Sequence, residues 1–388
     1  MGKITIIDAV MGSGKTYDAI QRMKKMQASG EKFVYVTPFL AEVDRVIAAV
    51  PEAKAPFSEY TALGLKKKRD TFLSMVLDGD NVVTTHALFA TLLADDYDHF
   101  KDHVLILDEV VQPIELLDLS AEDMEILIHS HLMVIDEETG KASFSDYYTK
   151  GRFLDFKRLC DNGTVYLFNQ YFLIWSFPPI IFSAFGSIQI MTYLFDGSIL
   201  KTYFSIHDIT YKTERGEEQE SAVKERIRGL LTIYEGPANK VGYEETSFSL
   251  NWIKKRSSVQ SKSIRTTASN ILKRKFKTSF RLNAYTTFKA HKAKLGGSGY
   301  SKSFIPVNAR GTNNFRDKQS MVYLANRYIN PLITRYTIEH GEYIHQDNWA
   351  LGELLQWLWR GCIRDNKPMN VYIPSSRMRG LLTDWLNN

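Results

Sequence analysis

The chain has 388 residues, of which 44% are hydrophobic and 24% charged, enough to bury two or three cores. Only Cys160 and Cys362 are present, without metal-ligand spacing, which excludes a disulfide framework and a cysteine-based zinc site and leaves two ordinary buried thiols. The longest apolar stretch, 172–185, is broken by Pro178 and Pro179 and is too short to span a bilayer, and a strand begins at once with no room for a leader, so a soluble cytoplasmic protein is expected.

In chain order, residues 3–7 predict an apolar strand, 8–14 a turn of small residues, and Lys15 onward a helix. The run Ala9-Val10-Met11-Gly12-Ser13-Gly14-Lys15-Thr16 has the chemistry of a phosphate-binding loop. In such a loop glycines let successive amides close around phosphates, the lysine neutralises their charge and the threonine hydroxyl holds Mg²⁺. Gly12, Ser13, Gly14, Lys15 and Thr16 are therefore the candidate residues for ATP and Mg²⁺, although Ala9 stands where a first glycine is usual.

A strand over 33–37 ends at Pro38 and is followed by a helix over 40–50; further strands are predicted over 82–85 and 103–107. The last is apolar and closes on Asp108-Glu109, as a Walker B strand does. A buried strand ending at the site lets its first carboxylate, Asp108, reach the metal, while Glu109 activates the attacking water. Strands of this kind separated by helices predict an α/β fold with parallel, doubly wound sheets. An insertion, largely helical and irregular, is expected over about 112–180, ending in an aromatic hairpin of 164–168 and 172–177. That hairpin is either an accessory wedge or core. A strand over 188–194 closes a first domain at 1–205.

The second domain is expected over 206–388. A Glu-rich linker over 213–224 leads into a helix over 221–230, then come a strand over 303–307, a helix over 318–328, a helix over 350–364, a strand over 370–373 and a helix over 377–386. Charge is very uneven here: 246–316 holds sixteen Lys or Arg and no Asp or Glu, leaving the rest of the chain net acidic although the whole carries +5. Lys273, Arg274 and Lys275 lie at its centre, and Trp252, Phe276, Phe280, Tyr285 and Phe288 are interleaved with the cations. Lys and Arg bind phosphates and aromatic faces stack bases, so the segment reads as a nucleic-acid-binding region or, failing that, a solvated surface. Arg360 and Arg364, four apart on the predicted helix, either point together toward a γ-phosphate or snorkel from an amphipathic helix.

In order along the chain, the phosphate loop, Val36-Thr37-Pro38, Thr84-Thr85-His86, Leu107-Asp108-Glu109, Ile190-Met191-Thr192-Tyr193, Asn308 to Asn313 and Gln356 to Arg364 resemble motifs I, Ia, Ib, II, III, V and VI of superfamily 2 helicases. The resemblance is to compact DNA helicases of bacteriophages and mobile elements, covers both halves of the chain, and implies two RecA-like P-loop lobes with ATP between them. It further implies Lys15, Glu109, Arg360 and Arg364 in catalysis, Gln356 at the nucleotide, Thr16 and Asp108 at the metal, and Thr192 coupling nucleotide state to lobe movement. Thr37, Pro38, Thr85, His86, Arg310, Thr312 and Asn313 would touch nucleic acid. For Thr37 and Thr85 a helix-capping role is the alternative, and for 310–314 a plain turn. Motif VI departs from the family pattern: its arginines are four apart rather than three, and Trp359 replaces a glycine. The implied partner is single-stranded or forked DNA, with RNA open, and replication proteins such as a single-strand binding protein or polymerase, in the host bacterial cytoplasm if phage-encoded. A nucleic-acid-stimulated ATPase that remodels a partner protein without unwinding fits the same motifs.

Overall fold

The strands Lys32–Thr37 and His103–Asp108 are nearly continuous buried apolar runs, the pattern of parallel strands covered on both faces. In the computed structural model, which describes residues 3–388 apart from 62–63, 93, 110–111, 118, 169–171 and 309–313, they are neighbours in a six-stranded sheet. Its order is Lys212–Arg215, Lys3–Asp8, Ser187–Thr192, His103–Asp108, Lys32–Thr37 and Val82–Thr85. The last four pair in parallel, with Met191 opposite Asp108 and Thr37 opposite Thr85. Met23 on the helix Lys15–Ser29 and Val43 and Val46 on the helix Leu40–Ala49 close over Phe33, Tyr35, Val83 and Ile106. Each such side chain taken fully from water stabilises the fold by roughly 1.5–3 kcal/mol.

The chain forms two compact units. The first comprises Met1–Ile7, Thr16–Glu214 and Asn330–Ile344, the second Asp8–Lys15, Arg215–Ile329 and His345–Asn388. Neither unit is one continuous stretch, unlike the single division near 205 drawn from sequence. The Glu-rich stretch is structured: Lys212–Arg215 is the sheet's exposed edge strand, and Glu217, Glu218 and Glu220 fill the first turn of the helix Glu217–Leu230. Carboxylates there favourably face the positive end of the helix dipole.

Within the first unit the insertion contains more strand than the sequence indicates. Val165–Phe168 and Phe172–Ser176 form the expected antiparallel hairpin, and Ile114–Leu116 adds a third strand with Glu115 opposite Trp175. Met133–Ile135 and Ala142–Phe144 make a further antiparallel pair, between the helices Ala121–His129 and Leu154–Asp161. Trp175 is buried, edge-on to Phe177 at 5.7 Å, so Phe168, Trp175 and Phe177 serve as core, whereas Phe172 is exposed. Phe168 meets Tyr336 of the helix Pro331–Glu339 edge-on at the same spacing.

The second unit is built on a four-stranded, all-parallel sheet ordered Leu231–Ile233, Met369–Tyr372, Ser320–Tyr323 and Asn283–Thr286. Here the predicted 318–328 helix is wrong: its first half is the central strand Ser320–Tyr323. Met321, Val322, Tyr323, Leu324 and Ala325 are all fully buried, and a segment enclosed on both sides by strands has no polar face to reveal its period. The predicted 303–307 strand reduces to a single bridge from Phe304 to Tyr285. No helix is long and apolar enough to cross a membrane among the described residues.

Candidate nucleotide and nucleic-acid site

The phosphate loop leaves the strand Lys3–Asp8 and enters the helix Lys15–Ser29. Gly12 and Gly14 have φ of +79° and +96°, conformations that strain any residue with a Cβ. Gly12 is constrained a second time, because a Cβ there would run into the ring of Trp359. Ser13 closes the turn with its amide on the carbonyl of Val10 at 3.3 Å, and its buried hydroxyl has no hydrogen-bond partner among the described residues. Lys15 folds back over the loop, its Nζ donating to the carbonyls of Ala9 and Val10. Thr16 follows on the helix's first turn.

Asp108 ends its strand with one carboxylate oxygen accepting from the Tyr35 hydroxyl at 2.6 Å, while its carbonyl meets Nε2 of His86 at 3.1 Å. Burial and the neighbouring Asp108 charge raise Tyr35 well above the usual phenol range, so it remains a proton donor. Glu109 turns the chain sharply at φ +67°, its amide bonded to Met191 O at 3.0 Å. A non-glycine residue in that region costs about 1–3 kcal/mol, a strain that clusters where a side chain must be aimed. Thr192, the last residue of the strand beside Asp108, is buried.

The two threonines expected to touch nucleic acid differ in their surroundings. Thr37 is fully buried, because its strand lies between His103–Asp108 and Val82–Thr85; its hydroxyl has no partner among the described residues, and half-buried Pro38 forms the surface there. Thr85 caps the short helix His86–Phe89, accepting from the Leu88 amide at 3.3 Å.

In the second unit the helix bearing Gln356 is Gln346–Leu358 and stops short of both arginines. Gly361 follows the break, where a Cβ would collide with the sulfurs of Met321 and Met369 and crowd Lys318 O. Arg360 is buried in the turn, whereas half-buried Arg364 lies on a separate 3-10 turn, Cys362–Asp365. They therefore do not share a helix face, which corrects the i,i+4 argument. Arg316 forms a bidentate pair with Asp365, next to Arg364. Arg310, Thr312 and Asn313 lie outside the described residues.

Lys273, Arg274 and Lys275 project from a π-helical turn, Ile271–Phe276, that extends the helix Ser258–Asn270, and all three are exposed. The interleaved aromatics mostly face inward: Trp252 and Tyr285 are core, and Phe276 and Phe288 pack against them. Some cations are also committed internally. Lys294 Nζ donates to Ile253 O and Lys254 O, and the Arg256 guanidinium lies 4.3 Å from the Trp252 ring centroid. Burial pushes the Cys160 thiol up to about 12 and raises that of Cys362, in keeping with structural cysteines.

Sequence reasoning missed Tyr35, Trp359 as a neighbour of Gly12, and the Arg316–Asp365 pair. Tyr35 had a signal: it is two residues before Thr37, on the strand paired with His103–Asp108.

A phosphate loop and a strand ending in Asp108-Glu109, separated by one strand in a largely parallel sheet and accompanied by a second all-parallel sheet, define a P-loop α/β protein with two RecA-like lobes. The chain belongs to the YonV family: it is 35% identical over 414 aligned residues to the SPbeta prophage-derived uncharacterized protein YonV of Bacillus subtilis (strain 168), covering all of both chains. The YonV C-terminal Rossmann-like domain matches residues 225–386 and the YonV middle domain matches 114–175. Among solved structures, Xpd4 of S. tokodaii is similar over 99% of this chain and 94% of its own, at 11% identity and a TM-score of 0.44. S. cerevisiae Dbp5 bound to RNA and ADP BeF3 is similar over 99% and 83%, at 7% identity and a TM-score of 0.39. Such distant likenesses add nothing to the assignment made from sheet order and family.

Proposed function

We propose that the chain is an ATP-dependent nucleic-acid translocase, a helicase of the superfamily 2 type acting on single-stranded or forked DNA. The observation that carries the reading is a phosphate loop that follows the strand Lys3–Asp8, which lies one strand away from the strand ending in Asp108 in the same sheet, in a chain that also presents the exposed cations Lys273, Arg274 and Lys275. The loop suits a nucleoside triphosphate: two glycines at positive φ, an unpartnered buried Ser13 hydroxyl and a lysine folded over the turn are the features of a phosphate cradle. Thr16 and Asp108 are the residues that would hold Mg²⁺, which when bound with ATP shields the phosphates' charge.

In this reading Lys15 binds the β/γ-phosphates, Tyr35 orients the Asp108 carboxylate, and Glu109 aligns and deprotonates the attacking water. Arg360 or Arg364 supplies the cation that steadies the charge of the transferring group. The prophage origin of the YonV relative fits a role in phage replication or recombination. Strand displacement on a forked duplex with ATP tests the assignment. Unwinding supports it; nucleic-acid-stimulated hydrolysis without displacement in either direction favours a protein-remodelling ATPase instead.

A further inference from the structure

Of the nine Phe, Tyr and Trp residues in 246–316, Phe280 alone is exposed, with 57% of its surface in solvent. Burying a phenylalanine stabilises a fold by roughly 1.5–3 kcal/mol, a gain that this position forgoes. The ring does not sit on a loose loop. Its 3-10 turn, Phe280–Leu282, is tied down by Lys318, which is only 9% exposed and donates through Nζ to Arg281 O at 2.6 Å. Behind it the Gln319 amide donates to Leu282 O at 2.8 Å. Before it Thr278 Oγ1 reaches Asn283 Oδ1 at 2.7 Å and Ser320 Oγ at 3.0 Å.

The segment that carries this ring is cationic. The Arg281 guanidinium lies 5.8 Å from the ring centroid, and exposed Lys277, Lys275, Arg274 and Lys273 precede it in the chain. The next acid after it in the chain, Asp317, pairs with Lys318 at 3.0 Å. We propose that Phe280 is a stacking platform for an unpaired base, with Arg281 and Lys277 taking the phosphates on either side, so that this surface selects single-stranded nucleic acid over duplex. A duplex keeps its bases stacked on one another and offers this surface only phosphates; a single strand offers a free π-face, which every base has. The inference rests on the basic segment's being the nucleic-acid surface.

The test is fluorescence anisotropy with labelled oligothymidylate and, separately, a labelled duplex, both without nucleotide. Phe280→Ala should weaken single-strand binding about tenfold and leave duplex binding within about twofold, Phe280→Trp should restore it, and Phe280→Leu should not. The wild-type protein should also perturb the fluorescence of 2-aminopurine in a single strand, and Phe280→Ala should lose that signal. Unchanged single-strand affinity in Phe280→Ala, or an equal fall for both ligands, overturns the proposal. Neutralising Lys273, Arg274 and Lys275 separates the two levels. If that variant loses affinity while Phe280→Ala does not, only the stacking role is lost; if it changes nothing, the basic surface itself is misassigned and the inference falls with it.

Discussion

The strand ends around Asp108 and the basic surface around Lys273 are built by opposite rules. At the first, local geometry is specific: Glu109 turns at φ +67° and Tyr35 holds one carboxylate oxygen of Asp108, as Gly12 and Gly14 at positive φ shape the phosphate loop in its own unit. At the second, helical and turn segments present cations and Phe280 to solvent while most of their other aromatics fill the core beneath. A site that must place a few atoms is written in residue identity and spacing. A surface that must hold a polyanion is written in composition, and composition does not tell which side chains face out.

The comparison breaks most sharply at Lys15 and Glu109. Lys15→Ala is expected to lower ATP hydrolysis by at least about a hundredfold while nucleic-acid binding without nucleotide stays within about twofold. Glu109→Gln should bind ATP yet lose turnover to a similar degree; normal turnover would remove Glu109 from catalysis. At the other site, replacing Lys273, Arg274 and Lys275 by alanine should leave basal hydrolysis intact and reduce the salt slope of binding by about two to three. An unchanged slope would place the polyanion elsewhere.

Tyr35→Phe sharpens the first half. Removing a hydroxyl that donates to a carboxylate should cost about 1.5–3 kcal/mol of stability and lower turnover several-fold with little change in ATP affinity. Unaltered turnover would make Tyr35 purely structural.

The smallest effect concerns pH. Burial lowers His103 and His207 below their ordinary 6.5. The unfolded chain therefore takes up protons near that value before the folded one does, so stability falls as pH drops below about 7 toward the folded-state values. A melting temperature a few degrees lower at about pH 5.5 than at about pH 7.5 is expected, with His207→Gln flattening the slope.

The phosphate loop, the Asp108 strand and the parallel sheet of the first unit were legible because glycine positions, a strand-end carboxylate pair and unbroken β-branched runs each have one physical meaning. The strand Ser320–Tyr323 was not, because Leu324 and Ala325 continue its buried run and favour helix locally, while the neighbouring strands that decide the matter lie tens of residues away. Close packing of Gly361 against Met321 and Met369, just after the helix end at Leu358, is a contact no local pattern reveals. Of the two motif threonines, Thr37 lies in the core and Thr85 caps the helix His86–Phe89, the capping alternative that the sequence left open.

Steady-state ATP hydrolysis with Mg²⁺, with and without single-stranded DNA or RNA and with Lys15→Ala as control, tests the central claim most directly. Strong stimulation by a single strand, abolished in Lys15→Ala and weakened when Lys273, Arg274 and Lys275 are neutralised, is the predicted result. Hydrolysis indifferent to any nucleic acid, or surviving in Lys15→Ala, would contradict it.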